Sequence, residues 1–376
     1  MKTRTSFGQR TLPGELFVSE EVFREEWRRI FSARWLYAGH ASEILEPGAY
    51  TLFELERESV LVVRDRDGVA RAFHNVCRHR GSRLCLEPRG SLGGAVQCPY
   101  HAWTYELDGA LRAAPNMGEV EGFDRSAHGL VPCSLREWNG LLFVALGASP
   151  APFEETIAPF VGRVERWRLG ELQSVHRTHY EVDANWKLFF HNYSECYHCP
   201  TVHPHLNKLT PYRNTTNDLD EGAALGGPMW MTNPDGSMTT GGERCAPLLP
   251  GLAEGDRGHV LYYTLFPSMF LSLHPDYVLV HRAQPLAVDR TRIVCDWLFH
   301  PEAIAAPGFD PRPAVEFWDL TNRQDWELCA NTHRGVASRA YRPGPYSELE
   351  SQLAAFDREY LRAMGWDERP PLSLAR

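Results

Sequence analysis

The chain has 376 residues, of which 43% are hydrophobic and 23% are charged, and its formal net charge is −9. This length exceeds the usual size of one hydrophobic core, so we expect two domains. The sequence has no run of lysine and arginine, and we therefore expect no nucleic-acid partner. No apolar stretch reaches the length of a membrane span, and the N-terminus lacks the apolar part of a secretory signal. We therefore expect a cytoplasmic protein with no membrane partner.

A helix is predicted near the N-terminus over the stretch SEEVFREEWRRIF. Ser19 is a suitable N-cap, acidic residues fill the first turn, and Arg28 and Arg29 follow where the helix dipole favours them. We assign residues 1–34 to this helix and expect it to pack on the larger, C-terminal domain.

Short strands separated by turn signals follow from about residue 51 to residue 146. The pairs Asp67-Gly68 and Asp108-Gly109 are typical of β-hairpin turns. We assign residues 35–148 to a small antiparallel β domain. The Pro- and Ala-rich stretch ASPAPFEETIAPF marks its boundary with a second domain, residues 149–376, in which helices and strands alternate.

The β domain carries two pairs of soft metal ligands, Cys77-x-His79 and Cys98-x-x-His101. The nine cysteines of the chain are an odd number, which argues against a disulfide framework and for reduced thiols or metal ligands. Common zinc sites use C-x-x-C pairs, whereas here each half combines one thiolate with one imidazole. Two thiolates on one iron and two imidazoles on the other are the ligands of a Rieske [2Fe–2S] cluster. A Cys2His2 zinc site remains the alternative.

A second set of ligands lies in NWKLFFHNYSECYHCPTVHP. This stretch is predicted to be one helix that Asn185 caps and Pro200 ends. Asn192, Glu195 and His198 would then share one face of the helix, and His203 would return from the following turn. Such polar groups are costly to bury among aromatic side chains unless they bind a metal.

Two imidazoles need one carboxylate to complete the facial triad that holds Fe(II) with open positions. The segment FWDLTNRQDWELCANTHRG is predicted to be helical and offers Asp325, while Asp319 and Glu327 fall on other faces. The sequence alone leaves this choice open. It also leaves His205 as a competitor of His203.

The motifs C-x-H-R-G and C-P-Y-H-A-W, followed by E-x-x-H-x-x-x-x-H and a late D-x-x-L-C, resemble the α-subunits of Rieske non-haem iron oxygenases. The resemblance covers nearly the whole chain. It implies an α+β protein in which a Rieske domain is inserted into a helix-grip catalytic domain, with Asp325 as the third iron ligand. It also implies a homotrimer in which Glu195 bridges His198 to a cluster histidine, His79 or His101, of a neighbouring subunit.

The resemblance implies activation of O2 at Fe(II), with electrons supplied by the [2Fe–2S] cluster. Because the chain has no nucleotide-binding fingerprint, NAD(P)H would act through a separate reductase, with or without a ferredoxin. Glu195 and Asn192 are the expected catalytic residues beside the ligands. His191 stands where relatives commonly have an acid, and its role is open.

A glutamate at the bridging position resembles the choline, glycine betaine and carnitine monooxygenase branch. This branch implies hydroxylation or N-demethylation of a small quaternary ammonium substrate, and aromatic faces would hold the cation. Candidates for these faces, with core packing as the alternative role, are Tyr193, Trp230, Tyr262, Tyr263, Phe266 and Phe270. Arene cis-dihydroxylation and an electron carrier with an inactive catalytic domain remain as other functions, as does a zinc-stabilised binding protein.

Overall fold

The structure, a computed structural model, describes residues 10–147 and 150–366. The chain forms two compact units, of which the first comprises residues 1–32 and 154–376 and the second residues 33–153. The β unit is thus inserted in the sequence of the larger unit. The combination of helices and antiparallel sheets is the α+β class that the sequence predicts.

The inserted unit consists of three antiparallel sheets. Their strand orders are β1-β10-β9, β4-β3-β2-β5 and β6-β7-β8. The strands are β1 (Leu36–His40), β2 (Ala49–Leu55), β3 (Glu58–Arg64), β4 (Ala70–His74), β5 (Arg89–Ser91), β6 (Val96–Gln97), β7 (Thr104–Tyr105), β8 (Leu111–Ala113), β9 (Ser134–Trp138) and β10 (Leu141–Ala145). The predicted hairpins at Asp67-Gly68 and Asp108-Gly109 join β3 to β4 and β7 to β8. Both glycines have positive φ angles, as such tight turns require.

A six-stranded antiparallel sheet is the centre of the larger unit, in the order β11-β16-β15-β14-β13-β12. Its strands are β11 (Gln173–Val182), β12 (Ala224–Trp230), β13 (His259–Leu265), β14 (Met269–Leu273), β15 (Val278–Ala287) and β16 (Arg290–Phe299). Strands β14 to β16 are almost wholly buried, and polar residues such as His281, Gln284 and Asp296 are buried there among apolar ones.

The helices that surround this sheet are mostly short. They are α1 (Glu15–Val18), α2 (Glu20–Glu26), α3 (Phe153–Ile157), α4 (Lys187–Tyr193), α5 (Cys199–Val202), α6 (Pro204–Leu209), α7 (Pro301–Ile304), α8 (Arg312–Val336) and α9 (Ser351–Ala363). The predicted cap of α2 is present, since Ser19 Oγ accepts a hydrogen bond from Val22 N. Within residues 10–147 and 150–366, no helix has the length and apolar character needed to cross a bilayer.

The helix predicted from Asn185 to Pro200 is interrupted, which corrects the prediction. Helix α4 ends at Tyr193, a turn follows, and Pro200 lies in the first turn of α5 instead of ending a helix. Proline fits there because the first backbone N–H groups of a helix have no partner within it. The Glu195 carboxylate accepts hydrogen bonds from the backbone N–H groups of Tyr197 and His198, and these bonds stabilise the turn in place of helix.

A buried ion pair joins helices α2, α4 and α9. Lys187 Nζ contacts Glu26 Oε1, and neither side chain is exposed to solvent. The same carboxylate accepts hydrogen bonds from Tyr360 Oη at 2.7 Å and from Trp186 Nε1 at 2.8 Å. Burial lowers the pKa of Lys187, and the charge of Glu26 opposes this shift. Both charges are therefore compensated inside the core that supports α4.

Replacing Lys187 by methionine is expected to destabilise the protein by about 3–5 kcal/mol, because the Glu26 carboxylate would stay buried without a cation. Arg29→Met is a matched control, since Arg29 pairs with Glu25 at the surface and should cost at most about 1 kcal/mol. Denaturant unfolding of the two variants and the wild type measures the difference. Equal midpoints for the two variants would show that the buried pair is not coupled to folding.

Candidate metal centres

Three predicted ligands of the larger unit converge on one point. Ligand atoms of His198, His203 and Asp325 all lie within 4.8 Å of one another. Asp325 Oδ1 lies 2.7 Å from His203 Nε2 and 3.3 Å from His198 Nε2. The histidines come from the turn after α4 and from the start of α6, while the carboxylate comes from the middle of α8. Two imidazoles and one carboxylate in this arrangement can hold a divalent metal ion.

The outer nitrogen of each imidazole is held by an acceptor. His198 Nδ1 lies 2.6 Å from Glu195 Oε1, and His203 Nδ1 lies 2.8 Å from Gln324 Oε1. Because both partners accept, each Nδ1 carries a proton, and each Nε2 faces Asp325 with either a second proton or a metal ion between them. Either cation neutralises the repulsion between the imidazole nitrogen and the carboxylate oxygen. The donor set of this site therefore fits a metal ion.

The acid–base properties of the triad show the same preference for positive charge. Although burial raises the pKa of the Asp325 carboxyl, hydrogen bonds from His198 and His203 outweigh it and hold that pKa below its ordinary value. Burial lowers the pKa of His198, but its contacts with Asp325 and Glu195 raise it to about 10. The site thus attracts a cation through two carboxylates.

Other candidates for the triad lie elsewhere. His205 is exposed and packs its ring against Phe317 at 5.3 Å, so it does not replace His203. Asp319 accepts a hydrogen bond from Tyr180, and Glu327 is exposed. His191 pairs with buried Asp357 at 2.8 Å, a contact within the helical layer.

Asn192, an expected catalytic residue, orients the carboxylate of the triad. Its Nδ2 donates to Asp325 Oδ1 at 3.0 Å. Because Asn192 lies on α4 and Asp325 on α8, this bond also joins α8 to the helix that precedes the turn of His198. Both residues line the cavity described next.

A cavity that opens to solvent reaches the triad, and the empty space in and in front of it is about 950 Å³. Five aromatic residues are part of its lining, namely Tyr193, Tyr197, Tyr212, Tyr262 and Trp318. The rings of Tyr193 and Trp318 both contact Tyr262 edge-on, each at a centroid distance of 6.2 Å. Tyr193, Tyr262 and Trp318 therefore form one connected aromatic wall of the cavity.

Several aromatic residues singled out in the sequence do not line this cavity, which differs from the expectation. Trp230 is 41% exposed, and Tyr263 is buried with its hydroxyl bonded to Asp218. Phe270 is also fully buried and stacks on the ring of Tyr193 at 4.8 Å. Strand position explains Tyr263 and Trp230, because both lie on the sheet face opposite to Tyr262. Phe270 shares the face of Tyr262, and the ring of Tyr193 stacks on it.

The ligand pairs of the inserted unit lie in two loops that fold against its core. The thiols of Cys77 and Cys98 are buried beside Trp103 and Tyr105 in one hydrophobic cluster. The rings of His79 and His101 lie edge to face at 4.8 Å. His79 Nδ1 is buried and has no hydrogen-bond partner, as expected of an atom reserved for a metal. These residues fit a cluster held by two thiolates and two imidazoles.

Tyr105 fixes the electrostatics of one thiol. Its hydroxyl accepts a hydrogen bond from Arg78 N at 3.0 Å and lies 3.2 Å from Cys77 Sγ. Since the oxygen accepts from the backbone, its own proton is free to point at the sulfur. Such a hydrogen bond stabilises a thiolate and raises the reduction potential of an iron–sulfur cluster.

Three contributions to the two centres were missed in the sequence analysis. Gln324 orients His203, Tyr105 contacts Cys77, and Cys196 forms a disulfide with Cys199. The disulfide differs from the expectation of reduced thiols throughout the chain. Its C-x-x-C spacing is the one local signal that could have predicted it.

Two family models match the chain. Residues 34–124 match the Rieske [2Fe–2S] domain, and residues 169–366 match the catalytic domain of the ring-hydroxylating α-subunit. Together they include every residue placed above in the two centres.

Curated relatives match most of the chain. The glycine betaine monooxygenase oxygenase subunit of Chromohalobacter salexigens is 34% identical in an alignment that covers 90% of this chain and 82% of the relative. The carnitine monooxygenase oxygenase subunit of Acinetobacter baumannii is 37% identical in an alignment that covers 88% of this chain and 86% of the relative.

Solved structures agree with these matches and confirm the predicted fold. The quaternary ammonium Rieske monooxygenase CntA in complex with L-carnitine has a TM-score of 0.79 and 25% identity, over 94% of this chain and 95% of CntA. Naphthalene 1,2-dioxygenase from Rhodococcus has a TM-score of 0.76 at 19% identity, over 95% of both chains, and thus shares the fold. The chain belongs to the ring-hydroxylating α-subunit family and is the oxygenase component of a Rieske non-haem iron monooxygenase system, supplied with electrons by a separate reductase.

Proposed function

We propose that the chain oxidises a small quaternary ammonium compound at a carbon next to the cationic nitrogen. The observation that carries this proposal is the aromatic wall of Tyr193, Tyr262 and Trp318 in the cavity that reaches the triad. Aromatic faces attract a quaternary ammonium group, which can form no hydrogen bond of its own. The relatives named for glycine betaine and carnitine support the same substrate class.

His198, His203 and Asp325 would hold Fe(II), while the pairs Cys77/His79 and Cys98/His101 would hold the [2Fe–2S] cluster. When bound, the mononuclear iron activates O2 with electrons from the cluster. The aromatic wall would orient the substrate so that a C–H bond faces this point, and closure around the cation would exclude water. One oxygen atom enters the C–H bond, and the other leaves as water after two electrons and two protons are consumed.

Glu195 would be the bridge for electron transfer between subunits of a homotrimer. Its Oε1 lies 2.6 Å from His198 Nδ1. Only the imidazole ring of His198 therefore separates this carboxylate from the nitrogen, Nε2, that would bind the iron. A cluster histidine, such as His101 of the partner subunit, would supply the other end. The study of a quaternary ammonium Rieske monooxygenase that describes inter-subunit electron transfer supports this arrangement. A cytoplasmic location suits an enzyme whose reductase draws on NAD(P)H.

Product analysis of the reconstituted enzyme tests the substrate class. With a reductase, NAD(P)H and O2, we expect oxidation of choline, glycine betaine or carnitine to give an aldehyde and a shortened amine in equal amounts. Naphthalene under the same conditions is the control for arene chemistry. A cis-diol from naphthalene with no turnover of the amines would contradict the proposal, and cluster reduction without any product would indicate an electron carrier.

Asp325→Ala is expected to remove the mononuclear iron while the cluster remains. Loss of a direct ligand should reduce turnover by more than ~100-fold, beyond the range usual for residues that only support a ligand. Glu327→Ala is the matched control, because Glu327 is exposed two residues further along the same helix. Iron and acid-labile sulfide analysis with visible spectroscopy measures both centres. Retained iron and activity would show that another carboxylate completes the triad.

Glu195→Gln is expected to leave both metals bound and to slow steady-state turnover by about 10–100-fold. The amide oxygen can still accept from His198 Nδ1, but the negative charge of the proposed bridge is lost. The rate at which a pre-reduced cluster is reoxidised by O2 and substrate is the direct measurement. A collapse of iron content would instead make Glu195 a ligand, and an unchanged rate would exclude it from the electron path.

A further inference from the structure

A disulfide closes the turn that carries the proposed bridge and the first iron ligand. Cys196 and Cys199 are bonded, with their Cα atoms 5.0 Å apart, and Cys199 N also donates to Cys196 O at 3.1 Å. Between and before them stand His198 and Glu195. The disulfide therefore encloses His198 and directly follows Glu195.

Both sulfurs lie beside the proposed iron site. Cys196 and Cys199 line the same cavity as the triad, and Cys199 Sγ lies 4.0 Å from His198 Nε2, the atom that faces the metal. Cys199 is only 2% exposed, whereas Cys196 is half-buried and more accessible. A reagent that enters the cavity can reach the pair without passing through the core.

We propose that Cys196 and Cys199 are a peroxide-reactive dithiol that forms a reversible disulfide and so protects the iron-binding turn. The inference rests on the proposed function, because O2 that takes up two electrons and two protons without oxidising substrate leaves as hydrogen peroxide. In a site open to substrate this peroxide arises next to the two sulfurs.

The chemistry needs no other reactant than hydrogen peroxide. One thiolate attacks a peroxide oxygen, the O–O bond breaks, and a sulfenic acid and water form once hydroxide takes up a proton. The second thiol then displaces water from the sulfenic acid and the S–S bond forms. Two thiols are oxidised by two electrons in total, and one peroxide is reduced to two waters.

Pairing is what separates protection from damage. A lone cysteine at this place would form a sulfenic acid with one peroxide and a sulfinic acid with a second, and the sulfinic acid is irreversible and adds negative charge beside His198. The bonded pair stops at the disulfide, and in that form the three ligand atoms still lie within 4.8 Å of one another. Oxidation of the pair is therefore compatible with an intact metal site.

Peptide mass spectrometry of the holoprotein tests the proposal. Cleavage after Lys187 and Lys208 releases one peptide with Cys196 and Cys199 as its only cysteines. After reduction, desalting and an excess of hydrogen peroxide over the total thiol, at least about two equivalents per thiol, the wild-type peptide should weigh about 2 Da less than the dithiol form. Dithiothreitol should restore its mass, and the protein should keep its iron.

Cys196→Ser leaves Cys199 without its partner. Its peptide should gain about 32 Da under the same treatment, dithiothreitol should not reverse this gain, and the protein should lose mononuclear iron. Cys199→Ser provides a second test if the first variant folds poorly. Cys133→Ser is the matched control, because this half-buried thiol lies in the other unit, and it should behave as wild type.

Two outcomes would overturn the proposal. One is a wild-type peptide whose thiols stay free while peroxide inactivates the protein. The other is sulfinic acid in the wild type as abundant as in Cys196→Ser. Because the hydrogen peroxide is added and does not have to be produced by turnover, these peptide masses do not depend on amine oxidation. A reversible disulfide in a protein that oxidises no amine would refute the proposed substrate and retain the dithiol.

Discussion

The carboxylate of Asp325 is the point on which the catalytic unit converges. It receives Asn192 from α4, His203 from the start of α6 and His198 from the turn between them. Such a group is costly to enclose without positive charge. The long helix α8 and the short helices that face it are therefore held in register by one electrostatic requirement, which a divalent metal ion satisfies.

The cysteine and histidine pairs of the two candidate sites could be found in the sequence because their spacing is local, whereas Asp325 was expected only from the family resemblance. Cys77 and His79 are two residues apart, and His198 and His203 are five apart. Such short spacings can be read directly from a sequence. The hairpins at Asp67-Gly68 and Asp108-Gly109 were predictable for the same reason, since a tight turn depends on few residues. The family matches confirm the class of enzyme that these motifs indicate.

The supporting contacts could not be predicted, because they join distant parts of the chain. Gln324 meets His203 across 121 residues, and Tyr105 meets Cys77 across 28. The break after Tyr193 was missed for another reason. The periodicity of α4 continues past its end, while the Glu195 side chain takes over the backbone N–H groups that a helix would use. Helix propensity does not include this competition between a side chain and the helix for the same backbone N–H groups.

Gln324 and Asp325 are consecutive residues that hold the two nitrogens of a single imidazole. One rigid helix therefore sets both the tilt of the His203 ring and the distance from its Nε2 to the Asp325 carboxylate. A chimera that takes α8 from a relative would keep both contacts with His203, provided that the spacing between His198 and His203 is also kept. Exchanging loops around the cavity leaves the contacts of Gln324 and Asp325 with His203 in place. Those loops are therefore where substrate preference can be changed while the metal ligands are kept.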